Sequence, residues 1–189
     1  RSYKKRNWCL IMKNIFYLRE LSLNEDINVK TLLLEASGDG ENGFSSGNIT
    51  EDNFDEYLKD RCREAKGIDL EENRVPQIIY IVYEKEKAIG ILKFRKKLSK
   101  YLLERGGNIG YYIKKSERGK GYGTKMLETF LLDIGYKSDI KKFLITCNED
   151  NLISEKVIIS NGGILENIIK GTKRYWIEKK GDINEDNNK

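Results

Sequence analysis

The 189-residue chain has no histidine, a single proline and three cysteines. Without histidine, the side chain whose ordinary pKa lies nearest neutrality is missing, so any proton transfer must use another group. The Ser-His and Cys-His pairs of nucleophilic catalysis are excluded with it. Cys9, Cys62 and Cys147 are odd in number, scattered and free of any C-x-x-C spacing. They imply neither a disulfide framework nor a zinc site, and a reducing, cytoplasmic compartment is the expectation. No apolar run comes near the ~20 residues that cross a bilayer. The opening RSYKKRNWCLIM is basic and then apolar, but its apolar part is too short for a signal sequence and Lys13 interrupts it. Met12 is therefore expected near the natural start. On that division, residues 1–12 are a basic extension, 13–180 one domain and 181–189 a polar tail.

What is present suits a globular domain: 39% hydrophobic and 34% charged residues, in a chain long enough to bury a core. The net charge of +5 divides unevenly. From Glu20 to Arg74 there are fifteen acidic residues against six basic; from Val75 onward 23 basic residues face 15 acidic ones. An anionic cofactor over the basic half and a cationic substrate over the acidic block would use that field. Solvated acidic helix faces would give the same counts. Nucleic acid is not an expected partner, because the lysines alternate with acids and no RNP or helix-turn-helix signature occurs.

Hydrophobic periodicity orders the chain. Ile15 to Leu21 alternates as a strand, followed by a helix over about 25–36 with Asn24 as N-cap and Val29, Leu32 and Leu33 inward. Ser37 to Asn48 is a loop by composition. A second helix begins at Thr50 and ends at Gly67. IIYIVY (78–83) and AIGILKF (88–94) form a hairpin. Leu98 to Arg105 is a short helical turn held by Tyr101, Leu102 and Leu103. Strands at Ile109–Ile113 and Phe143–Cys147, a helix over 152–160 capped by Asn161-Gly162-Gly163, and a hairpin of 164–169 with 174–177 complete the chain. No repeat and no linker divides it.

The stretch GNIGYYIKKSERGKGYGT (107–124) is where chemistry concentrates. A strand runs into a basic turn with Gly119, Gly121 and Gly123 at alternate positions. Met126, Leu127, Phe130, Leu131 and Ile134 then recur at helical steps. Free N–H groups at a helix start, with the helix dipole behind them, attract anions, and glycines let a phosphate approach the backbone. Arg118 and Lys120 add positive charge. The spacing is not that of a P-loop or a dinucleotide fold, since Thr124 stands where either would need glycine. R-x-x-G-x-G is present as Arg118, Gly121 and Gly123. Downstream, Asn151, Ser154, Val157, Ile158 and Asn161-Gly162-Gly163 follow the second strand.

Together these segments resemble the GNAT family, the GCN5-related N-acetyltransferases, over roughly residues 78–178. Within it the chain is most similar to a subgroup of uncharacterised predicted acetyltransferases sharing GGxIGY…SERGKGYxT, ITC…N and NGG…RYW. The resemblance implies an α/β fold (α+β mixed): a central, mostly antiparallel sheet of about seven strands with about four helices. It implies acetyl transfer from acetyl-CoA, a co-substrate, to a primary amine of a small molecule or peptide, by direct attack in a ternary complex and without metal. Arg118, Gly119, Lys120, Gly121, Tyr122, Gly123 and Thr124 would hold the pyrophosphate, mostly through backbone N–H. Asn151 would bond the pantetheine arm, Ser154 would line the channel, and the Ile113 amide would face the thioester carbonyl. Ile158 stands where many members carry an acidic tyrosine, and Lys115 where proline is common.

Deprotonation is left to a carboxylate through water, a tyrosine, Cys147, or delivery of free amine. Glu104 and Glu84 are the candidate carboxylates, while Cys147 without a histidine partner reads as a core thiol. The acidic block points to a cationic amine acceptor, and homodimerisation is left open. A non-catalytic CoA-binding module is the alternative function.

Overall fold

A computed structural model of the chain describes residues 16–39 and 47–179. The basic extension, the Met12 start, most of the 37–48 loop and the polar tail lie outside the described residues.

Seven strands form one sheet in the order β1-β2-β3-β4-β5-β7-β6. They are β1 (Phe16–Glu20), β2 (Ile78–Glu84), β3 (Lys87–Phe94), β4 (Ile109–Ile113), β5 (Lys142–Asn148), β6 (Ile164–Ile169) and β7 (Thr172–Glu178). Five helices accompany them: α1 (Ile27–Gly38), α2 (Phe54–Ala65), α3 (Lys100–Glu104), α4 (Tyr122–Phe130) and α5 (Leu152–Ser160). All neighbours pair antiparallel except β4 with β5. The architecture expected from the resemblance is the one observed, with one helix more than expected.

The period-2 alternation of β2 and β3 sends their side chains to two cores. Ile79, Ile81, Tyr83 and Ile91 pack under α1 and α2 with Val29, Leu32, Leu33 and Leu58. Val82, Ile89, Leu92 and Phe94 pack on the other face with α4, α5 and β5. Phe130 of α4 anchors that second core, lying edge-on to Phe94 at 4.9 Å and to Phe143 at 6.3 Å. At ~25 cal/mol per Å² of apolar area, such buried aromatics contribute about 2–3 kcal/mol each.

Local differences from the sequence reading have local causes. Asp26, not Asn24, caps α1, accepting from the N–H groups of Asn28 and Val29. The helical run after Phe130 widens into a π-turn over Leu131–Gly135, so Ile134 is only partly buried. Gly135 sits there with Phe143 Cζ 3.2 Å from where a Cβ would stand. Tyr101 and Leu103 do not hold α3, since both are exposed; Ser99 caps it instead, accepting from the Leu102 N–H. The β6–β7 hairpin turns on two residues, Lys170 and Gly171, both at positive φ.

Candidate functional site

Two strands part in the middle of the sheet. β4 and β5 run parallel and pair at one position only, Ile109 with Ile145. On its other edge β4 pairs with β3 from Ile109 to Ile113, and the Lys114 N–H continues that ladder to Ile89 O at 2.9 Å. Because strand N–H groups alternate between edges, those of Gly110 and Tyr112 face β3 and those of Tyr111 and Ile113 face the gap. The amide proposed for Ile113 is thus presented to open space between two diverging strands. The Ile113 carbonyl on the same edge accepts from Arg118 Nε at 3.1 Å.

The glycine turn lies at the end of β4. Gly119 (φ 77°) and Gly121 (φ 79°) are left-handed, and nothing stands within 4 Å of where either would carry a Cβ. Any other residue would be strained there, and the space beside the turn stays open. The N–H groups of Gly119 through Thr124 have no acceptor among the described residues; the first α4 bond is Lys125 N–H to Gly121 O. Gly123 serves packing, because a Cβ there would stand 3.1 Å from Val157 Cγ2 on α5. A diphosphate fits this arrangement: six consecutive N–H groups without an acceptor among the described residues lie at a helix start, with open space beside Gly119 and Gly121.

The two cationic side chains of the turn are committed elsewhere. Arg118 donates through Nη2 to Asp39 Oδ2 at 2.5 Å and lies over the Tyr112 ring, while its N–H bonds Lys115 O. Lys120 pairs with buried Glu117 at 2.8 Å, and Lys87 contacts the same carboxylate. Those two ammonium groups hold Glu117 down at about 2. Arg118 and Lys120 therefore have their charges paired within the fold, and the uncommitted donors of the turn are main-chain N–H groups.

A clasp that sequence reasoning missed fixes the turn to α1. Glu35 Oε1 accepts from the Tyr112 hydroxyl at 3.0 Å and the Lys115 N–H at 2.8 Å. Asp39, fully buried, takes Arg118 and also Lys115 at 3.3 Å. Burial works to raise the Asp39 pKa, but the bonds from Arg118 and Lys115 outweigh it and hold it below the ordinary value. Both carboxylates belong to the acidic block, where they look in sequence like a solvated helix face.

On the α5 side, Asn151 is the helix N-cap, accepting from the Ser154 N–H at 3.0 Å. Ser154 Oγ is 2.8 Å from the Tyr111 hydroxyl, whose pKa burial pushes up, so Tyr111 stays protonated beside α5, on the strand that borders the gap. Ile158 is fully buried in the core. Cys147 is a buried thiol pushed up to about 11, first by burial and then by Glu155, which suits the core role expected of it.

Glu104 is not brought to the Ile113 amide. It ends α3, with the length of β4 between them, and pairs with Lys170 at 3.3 Å on a 42% exposed side chain. Glu84 closes β2, opposite Phe16 on β1, away from the gap. On the α1–α2 face of the sheet a cleft of about 1030 Å³ lies between α2, residues 72–77, the end of β3 and α3, and Glu104 is on its wall.

These features coincide with a known domain. The profile described as Acetyltransferase (GNAT) domain matches residues 18–164. The chain belongs to the GNAT family. The ribosomal-protein-serine acetyltransferase of Escherichia coli (strain K12) is 26% identical over 92 residues, 49% of this chain and 50% of that protein. The match thus spans about half the length of that curated relative. Among solved structures, the Salmonella typhimurium acetyl transferase that modifies the N-terminal serine of ribosomal protein L7/L12 superposes with a TM-score of 0.62 at 16% identity. It covers 88% of this chain and 96% of its own. Campylobacter jejuni N-acetyltransferase PseH, solved in complex with acetyl coenzyme A, gives 0.59 at 12% identity, over 88% of this chain and 100% of that one. Likenesses this distant carry the GNAT fold. Among the described residues no cluster of metal-ligating side chains occurs, and no helix is long and apolar enough to cross a membrane.

Proposed function

We propose that the chain is an acetyl-CoA-dependent N-acetyltransferase acting on a primary amine of a small molecule or peptide. The observation that carries this is the junction of the donor-lined turn at 119–124 with the unpaired edge of β4. Acetyl-CoA supplies an activated thioester, and its pyrophosphate fits the turn. The Ile113 N–H then donates to the carbonyl oxygen as it gains charge, a role one well-placed donor fills at about 3–4 kcal/mol. Tyr111 holds a proton on the strand that borders the gap and is the group we assign to the departing thiolate, since Ile158 has none to give. The amine is delivered as the free base or loses its proton to solvent.

Release of free CoA on mixing acetyl-CoA with polyamines, aminoglycosides, amino acids and peptide N-termini tests the reading. A chain that binds acetyl-CoA and acetylates none of them is a binding module. Gly121→Glu places a side chain and a negative charge in the open space of the turn and should abolish acetyl-CoA binding in a folded protein. Unchanged affinity would remove the turn from the mechanism.

A further inference from the structure

The cleft on the α1–α2 face is floored with donors. Lys93 of β3 is only 7% exposed, and Arg95 reaches Gly107 O through Nη1 at 3.2 Å. Tyr57 Oη and Arg61 Nε, both buried and both on the lining, have no hydrogen-bond partner among the described residues. Arg61 lies over the Tyr57 ring at 5.5 Å, which holds the two donors together. The buried acid nearby, Glu64, is spent on Arg61 Nη1 at 2.6 Å and on Arg74 at 3.7 Å. Of the other acids of the lining, Glu56, Asp60 and Glu72 stand exposed and Glu104 is paired with Lys170.

Buried donors left without acceptors are costly, and natural interiors seldom leave two in one place without a ligand. Two desolvated cations side by side add to that cost: burial, then the charge of Arg95, push Lys93 down to about 7. A group with several acceptor oxygens and negative charge satisfies Tyr57 Oη and Arg61 Nε and offsets the charge of the cations beside them. Arg95 also connects this floor to the reaction gap, for its Nη1 lies 4.0 Å from where Gly110 of β4 would carry a Cβ. The glycine turn is on the opposite face of the sheet, with α4 and α5, so this is not a second grip on the same diphosphate.

We infer that the floor formed by Tyr57, Arg61, Lys93 and Arg95 is an anion site that takes a carboxylate or phosphate of the amine acceptor. The acceptor is then bipolar, with an amine for the gap and an anionic group for the floor. The assignment to the acceptor rests on the transferase reading above; the anion site itself does not.

The test uses the full chain without acetyl-CoA, in a buffer free of phosphate and carboxylate. Inorganic phosphate and succinate are titrated, with ethylenediamine as cationic control, and followed by calorimetry and by backbone amide shifts in α2 and β3. The anions should bind with shifts at those elements, and ethylenediamine should not. Lys93→Met and Tyr57→Phe should each weaken anion binding tenfold or more while acetyl-CoA binds as in wild type. In the second arm, β-alanine and 2-aminoethyl phosphate should exceed propylamine in kcat/KM, and Lys93→Met should erase that advantage. Anions that bind wild type and both variants alike, or move no amide at the floor, would overturn the site. Equal use of all three amines would overturn its assignment to the acceptor. Anion binding without acetylation of any amine would leave the site standing and fell the transferase reading.

Discussion

Lys93→Met offers a measurement in which the buried amine declares itself through stability. In the folded chain burial, followed by Arg95, lowers the Lys93 pKa to about 7 from its ordinary value of 10.5. The unfolded chain therefore binds more protons between those values, and stability must rise with pH across that window. The contribution of Lys93 is most favourable above pH 10.5, worsens as pH falls, and is fully unfavourable below about 7. At 1.36 kcal/mol per unit, the full penalty is on the order of 4–5 kcal/mol. Between pH 9 and pH 6 about 2–3 kcal/mol of it develops. The charged groups facing Lys93 are Arg95 on its own strand, Arg61 and Glu64 on α2, and Arg74 on the following loop. Methionine fills similar volume without charge, so the variant should be the more stable protein, by a margin that grows as pH falls. Urea midpoints for both proteins at pH 6, 7.5 and 9, in a buffer without small oxyanions, give the margin directly. A margin constant across that range, or a wild type more stable at pH 6, would refute the reasoning.

Further outcomes follow from other parts of the site. Asn151→Ala should cost about 0.5–2 kcal/mol of stability through the lost α5 cap, seen in the thermal midpoint before any acetyl-CoA is added. Asn151→Asp should retain most of it. Asp39→Asn should destabilise by about 1–3 kcal/mol, less than a fully buried pair because Arg118 and Lys115 are partly exposed. Since the Asp39 pKa is lowered in the fold, its share is present above the ordinary value near ~4 and lost as pH falls through the lowered one. The variant should therefore lose less stability than wild type between pH 5 and 2 in urea titrations. Tyr111→Phe should lower kcat with little change in acetyl-CoA affinity; an unchanged kcat removes the hydroxyl from the mechanism. With no histidine, the rate for the best amine should climb through pH 7 toward 9 and not level near ~6.5.

The sequence carried what depends on neighbours in the chain. Strand alternation, the Gly119-Gly121-Gly123 spacing and the Asn161-Gly162-Gly163 cap are local signals, and α5 appears with the bounds read for it. What it hid depends on residues far apart in sequence. Arg118 reads as an unpaired cation because nothing local joins it to Asp39, 79 positions earlier. The acidic block read as a field, yet Glu25, Glu35, Asp39 and Glu64 spend their charge on Arg19, Tyr112, Arg118 and Arg61. Lys93 lay inside the apolar run of a strand, where composition gives no hint that its amine faces a cleft. The π-turn after Phe130, with Gly135 close against Phe143, is encoded by no periodicity.

Asn108 gives the sheet an unusual mechanics. Its buried side chain donates to Arg95 O at 2.9 Å and accepts from the Leu144 N–H at 2.8 Å, while its own N–H reaches Leu144 O at 2.7 Å. One amide thus rivets β3, β4 and β5 at a corner, and beyond Ile109 no strand pairing among the described residues joins β4 to β5. The β1–β4 plate and the β5–β7 plate are each zipped internally, so they should open as separate units in native-state hydrogen exchange, with β5–β7 showing its own protection. A molecule that bonds the Tyr111 and Ile113 N–H groups while touching α5 stitches the plates from the open side. Its binding should then slow exchange far from any atom it contacts, on both sides of the seam at once, and Asn108→Ala should uncouple the two sides.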